Sequence, residues 1–146
     1  MTDQILSSGA VRIADAAVGR DEAIRAAGAI LVDVGSVDEA YVDAMLEREG
    51  SVSTYMGNFL AIPHGTNEAK DAIRKSGLSF TRYDQPIDWN GDEVRFVVGI
   101  AGIDNEHLEI LSKIAIIFSD EDEVERLLAL GSAEELYAAL SEVNES

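Results

Sequence analysis

From Asp21 to Val34 apolar residues recur at three- and four-residue intervals, with Ile24, Ala27, Leu31 and Val34 on one stripe. That spacing predicts an amphipathic helix, and Gly35 is placed to stop it. A second helix is expected from Val37 to Glu49, with Val42, Met45 and Leu46 facing inward and Gly50 as a left-handed cap. Phe59–Ile62 reads as a short apolar strand, which Pro63 ends because it has no N–H to give and holds Ile62 extended. Glu68–Lys75 is polar with some helical character, and Leu78–Tyr83 alternates as a strand does. Asn90-Gly91 is a strong hairpin signal. Val94–Ala101 is apolar on both faces, as expected of a central strand covered on each side. Asp104 is placed to cap a helix from Asn105 to Phe118, with Leu108, Leu111, Ala115 and Phe118 on one face. Ser119-Asp120 opens another helix to Leu130, closed by Gly131, and Ser132 with Glu135 forms a capping box for the last. Val11–Ala14 is a short first strand.

Helices interleaved with strands predict an α/β class, with a sheet between helical layers. The Asn-Gly hairpin makes that sheet mixed rather than purely parallel. The length, 146 residues, suits one domain. The longest apolar run, Phe96–Ile103, falls far short of the ~18–20 residues of a membrane-spanning helix. The amino terminus has no basic region followed by an apolar stretch, so a cytoplasmic location is expected.

Charge narrows the partners. Asp and Glu number 28 against 11 Lys and Arg, for a net charge of −17, and only three lysines exist, Lys70, Lys75 and Lys113. Phosphate backbones need basic patches, so nucleic acid is not an expected partner. An acidic field instead favours encounter with a basic protein surface, or simply maintains solubility. The absence of cysteine removes disulfides, thiolate nucleophiles and thiolate-held metals.

Only two histidines occur, and both stand where a site is expected. His64, in Ala61-Ile62-Pro63-His64-Gly65-Thr66, follows a buried strand and should lie at the sheet's end. His107 falls in the first turn of the helix after the central strand. Ligands of open α/β sheets gather at such strand ends, and a helix amino terminus favours both a neutral imidazole and a bound anion. A neutral imidazole is a competent nucleophile near pH 7, which suits phosphoryl chemistry. Arg48 is the candidate cation for gripping phosphate. Each has a plainer alternative: a satisfied loop residue for His64, a capping or packing role for His107, and a solvent-facing pair with Asp43 or Glu47 for Arg48. No Walker loop, no dinucleotide fingerprint and no H-x-x-x-H or H-E-x-x-H spacing is present, which argues against ATP and against zinc.

Met45-Leu46-Glu47-Arg48-Glu49, Ser53-Thr54-Tyr55-Met56-Gly57, Ile62-Pro63-His64-Gly65-Thr66-Asn67-Glu68-Ala69-Lys70-Asp71 and Asn105-Glu106-His107-Leu108 together resemble the EIIA components of the mannitol/fructose class of the bacterial phosphotransferase system. The order and spacing of the blocks fit over about residues 4 to 140, and the Pro63–Asp71 run is most similar to the mannitol branch. The resemblance implies one EIIA-type phosphocarrier domain over residues 1–146, with a mixed sheet of about five strands flanked by helices on both faces. It implies that His64 accepts a phosphoryl group from phospho-HPr and passes it to a cysteine of the EIIB domain of a mannitol permease. His107 and Arg48 would hold the phosphoryl oxygens, with no ATP, cofactor or metal. With no membrane segment, a stand-alone EIIA is expected, the permease being another chain. Two other readings are an EIIA-like regulatory module, whose phosphorylation is read by a transcription factor or kinase, and a purely structural α/β domain.

Overall fold

A computed structural model of the chain describes residues 6, 8–14, 18–51, 53–65, 71–102 and 106–140. Five strands, β1 (Val11–Ala14), β2 (Tyr55–Gly57), β3 (Leu60–Ala61), β4 (Gly77–Trp89) and β5 (Asp92–Ala101), form one sheet in the order β1-β4-β5-β3-β2. The β1–β4 and β3–β5 pairs are parallel, while β4–β5 and β2–β3 are antiparallel. The sheet is therefore mixed, and the doubly apolar β5 is its central strand. A 3-10 turn at Ser8–Ala10 precedes β1.

Helices α1 (Arg20–Asp33) and α2 (Ala40–Ser51) cover one face, packing Ala23, Ile24, Leu31 and Met45 on Val97 and Ala101 of β5. Helices α3 (Glu106–Phe118), α4 (Glu121–Ala129) and α5 (Ala133–Leu140) cover the other, with Ile110, Ile114, Leu127 and Leu136 against Phe80, Phe96 and Val98. Phe80, Phe96 and Phe118 meet there with ring centroids 5.1–6.3 Å apart. Alternate side chains of β5 thus serve two separate cores, as period-two geometry requires of a strand buried on both faces.

Several ends follow the expected chemistry. Gly35, at φ +78°, closes α1, with Ser36 N–H donating to Leu31 O and Gly35 N–H to Val32 O. This is the paired reversal in which a left-handed glycine satisfies two terminal carbonyls. Asp120 caps α4 by accepting from the amides of Asp122 and Glu123. Ser132 Oγ accepts from Glu135 N at 3.2 Å, but the Glu135 carboxylate turns to Gly131 N rather than back to Ser132.

Other expectations are corrected. Gly50 is not a left-handed cap but lies inside α2, which runs on to Ser51. There the buried Glu49 carboxylate, tied to Thr54 beyond the helix, fixes how the chain leaves. Val37 does not begin α2; it pairs with Ile73 in an isolated antiparallel bridge. Of Glu68–Lys75, residues 68–70 lie outside the described residues, and Arg74 and Lys75 amides both donate to Ser36 O. The inward face of α3 is Ile110, Ile114 and Phe118, whereas Leu111 and Ala115 are only half-buried. The Leu108 side chain and the Asp104 cap lie outside the described residues. Strand β4 continues past Tyr83 to Trp89 through a bulge that sets Tyr83–Pro86 against Arg95 alone. Proline, lacking an N–H, is tolerated at such a break in the ladder.

The hairpin joining β2 to β3 was not expected. Its central residues, Asn58 and Phe59, have φ of +49° and +68°. Those are the signs of the tight turn that usually recruits Asn-Gly. Asn58 is tied down through its Nδ2, which donates to Phe118 O.

Candidate active site

His64 stands just beyond β3, half-buried, opposite Ile100 near the end of β5. Each peptide unit from Ile62 to Gly65 is pinned by a hydrogen bond. Ile62 N donates to Thr54 O at 3.1 Å, and Ile100 N donates to Pro63 O at 3.1 Å. Gly65 N donates to the Tyr41 hydroxyl at 2.9 Å. The remaining unit, Ile62–Pro63, offers its carbonyl oxygen to His64 Nδ1 at 2.9 Å.

That last contact decides the ring's protonation pattern. A carbonyl oxygen can only accept, so Nδ1 carries a proton in this contact, and in a neutral ring so bonded the lone pair is on Nε2. The other ring nitrogen, Nε2, is the one remote from the main chain.

Helix α2 is bonded to this segment at both of its ends. Near its start, Tyr41 reaches Gly65. At its end, the buried Glu49 carboxylate accepts from Thr54 N at 2.9 Å, Thr54 Oγ at 2.5 Å and Trp89 Nε1 at 2.9 Å. The Thr54 carbonyl in turn takes the Ile62 amide. Arg48, half-buried in the last turn of α2, follows Tyr41 by seven residues and therefore lies on the same helix face as the residue that touches Gly65. A cation is also favoured at that end of a helix by the backbone dipole.

His107 lies in the first turn of α3, as its spacing predicts, but its side chain is outside the described residues. The fold thus ties the Arg48 helix to the His64 segment, while His107 is placed only by its backbone, a few residues past the end of β5. Sequence patterning gives Tyr41 and Trp89 no role, and it includes Glu49 and Thr54 only as members of larger blocks. The available signals were weak: a tyrosine inside an apolar helical stripe, and the one tryptophan of the chain beside the Asn-Gly turn. Among the described residues no cluster of three or more His, Asp or Glu could hold a metal ion. None of the described helices is long and apolar enough to cross a membrane.

A family model described as "Phosphoenolpyruvate-dependent sugar phosphotransferase system, EIIA 2" matches residues 4–143. The chain belongs to that family. It is a phosphotransferase component, of the kind that moves a phosphoryl group between proteins. A mannitol-specific phosphotransferase enzyme IIA component of Halalkalibacterium halodurans is 56% identical over 145 residues, covering 99% of this chain and 100% of that protein. One of the same description from Staphylococcus aureus is 52% identical over 125 residues, covering 86% of this chain and 87% of the other. Among solved structures, the IIA chain of the Escherichia coli complex of mannitol enzyme IIA with phosphorylated enzyme IIB superposes with a TM-score of 0.83. It is 38% identical and covers 93% of this EIIA chain and 98% of its own. The single mixed sheet with helices on both faces is the fold of these relatives.

Proposed function

We propose that this chain is a mannitol-branch EIIA phosphocarrier of the cytoplasm, with residues 1–146 acting as one domain. His64 Nε2 accepts a phosphoryl group from phosphohistidine on HPr and delivers it to a cysteine of an EIIB domain. The observation that carries this reading is the Nδ1–H···O=C bond from His64 to Ile62, in a chain whose family transfers phosphoryl groups between proteins.

The N–P bond of the donor breaks as the bond from His64 Nε2 to phosphorus forms, roughly in line and with loose, metaphosphate-like character. His64 enters neutral and keeps its Nδ1 proton, so the ring becomes positively charged once Nε2 is bonded to phosphorus. The Ile62 carbonyl faces that charge and stabilises it. Arg48 and His107 hold the phosphoryl oxygens, the first as a fixed cation and the second as a hydrogen-bond donor at the start of α3. In the second half-reaction a thiolate of EIIB attacks phosphorus, the Nε2–P bond breaks, and the ring returns to its neutral Nδ1–H form. Mannitol specificity is supported by the Pro63–Asp71 run and by the relatives' descriptions.

The test is intact-mass analysis after incubation with phosphoenolpyruvate, the general enzyme of the system and HPr, beside His64→Ala. An acid-labile gain of about 80 Da, one HPO₃ on a side chain, is expected in the wild type only. Arg48→Ala and His107→Ala should each slow labelling by roughly 10²–10³-fold without moving the label. A labelled His64→Ala protein would refute the assignment of the carrier. Labelling of the wild type without onward transfer to any mannitol EIIB would favour the regulatory module instead.

A further inference from the structure

Tyr41 is buried, 3% exposed, yet its hydroxyl makes two bonds: it donates to Ile100 O at 2.8 Å and accepts from Gly65 N at 2.9 Å. The directions are forced, because a carbonyl only accepts and an amide only donates. Their placement is informative. His64 and Ile100 form a parallel bridge in which Ile100 N donates to Pro63 O. A parallel ladder would close that bridge with a bond from Gly65 N to Ile100 O. The Tyr41 hydroxyl bonds both of those atoms. A side chain from α2 thus stands at the ladder at the residue after His64, tied to the His64 segment and to β5 at once. The identity of residue 65 agrees: a Cβ there would sit 2.5 Å from Tyr41 Cε1 and 2.9 Å from Cζ, so the ring and a side chain cannot share the space.

We propose that Tyr41 is a positioning residue for phosphoryl transfer: by bridging Gly65 N to Ile100 O it sets the orientation in which His64 presents Nε2 to the donor and the acceptor. This inference rests on His64 being the phosphoryl carrier. Tyr41 touches no reacting atom. Its contribution is to hold the peptide on the far side of His64 from Ile62, so that the ring is fixed from both flanks. Burial raises the Tyr41 phenol above its ordinary range, so the hydroxyl keeps the proton that Ile100 O requires.

The deciding variant is Tyr41→Phe in the full-length chain, assayed for transfer from phospho-HPr under single-turnover conditions. The expected result is a rate at saturating donor reduced roughly 10- to 100-fold, with the donor concentration at half-maximal rate unchanged. Misplacing a reacting group by about 1 Å has effects of that size. A long-range ¹H–¹⁵N spectrum of the His64 imidazole should also show the Nδ1–H form losing its dominance. A merely structural role would move neither readout. Ser79→Ala is the control, because Ser79 lies on β4, on the side of β5 opposite the His64 bridge, and its Oγ accepts from Gly99 N; its transfer rate should match the wild type. If Tyr41→Phe does not fold, Gly65→Ala replaces it, since the added methyl displaces the ring without removing the hydroxyl, and the same loss of rate is expected. A rate within about threefold of wild type, an effect confined to half-saturation, or an equal loss in Ser79→Ala would each overturn the proposal. A wild-type protein that takes no phosphoryl group would instead overturn the carrier reading on which it rests.

Discussion

Replacing Glu49 by leucine probes the polar cluster that anchors the end of α2 beside the His64 segment. The carboxylate is 3% exposed and receives three donors: the Thr54 amide, the Thr54 hydroxyl and the Trp89 indole N–H. Leucine keeps much of the volume and accepts none of them. A buried donor left unsatisfied costs about 1–3 kcal/mol, so three sum to roughly 3–6 kcal/mol, even after some relief from no longer burying a carboxylate. For a domain of this size each kcal/mol moves Tm by roughly 2–4 °C, so a fall on the order of 10–20 °C is expected. Glutamine separates hydrogen bonding from charge. Its oxygen, placed where Oε2 is, can accept from Thr54 N and Trp89 Nε1, while its amide donates to Thr54 Oγ. Glu49→Gln should therefore stay within about 1.5 kcal/mol of wild type. Urea unfolding followed by far-UV circular dichroism measures both variants, and exchange of the Thr54 amide should accelerate in the leucine protein alone. If Glu49→Leu lies within about 1 kcal/mol of wild type, or glutamine is as damaging as leucine, the three-donor account is wrong.

Three further outcomes are expected. Arg82, 6% exposed, donates from Nη1 to the carbonyls of Leu127, Leu128 and Leu130 at the end of α4 and pairs with Asp84, so Arg82→Met should cost about 2–4 kcal/mol. Arg82→Lys should recover little of that, since one ammonium cannot reproduce a planar fork, and hydrogen exchange in α4 will report the fraying. A Cβ at Gly28 would sit 2.7 Å from Val42 Cγ2, so Gly28→Ala should overpack the α1–α2 contact by about 1–3 kcal/mol, and denaturant titration should show Val42→Ala restoring part of it. Tyr41 and Tyr83 are both raised above 10.0 by burial, the latter also by the Glu22 carboxylate. Their contribution is present below the unfolded phenol value and is lost as pH rises through the folded ones. Unfolding free energy should fall above about pH 10, and less steeply in Tyr83→Phe; a flat alkaline limb in the wild type would contradict the burial argument.

Local periodicity and end chemistry were enough to foresee the α/β class, α1 with its Gly35 stop, the mixed character of the sheet, the Asn90-Gly91 hairpin and the central placement of β5. These depend on interactions within a turn or two of chain, or on the burial of a continuous apolar run, and both are written in residue order. His64, His107 and Arg48 were also legible as candidates, because strand ends, helix starts and helix ends are sequence-local positions. The tertiary structure decided what surrounds them. The Asn58-Phe59 turn adopts a conformation its residues do not advertise, held by a bond to Phe118 some 60 positions away. Strand β4 runs through a bulge to Trp89 because β5 is there to pair with it. The two supports of the His64 segment, Tyr41 from one end of α2 and Glu49 with Trp89 at the other, join residues 24 to 40 positions apart. Such bonds arise where a polar tip, buried by packing, must find a partner wherever the fold provides one. Hydrophobic periodicity records which face of an element goes inward, but it carries no information about which buried polar groups will meet there.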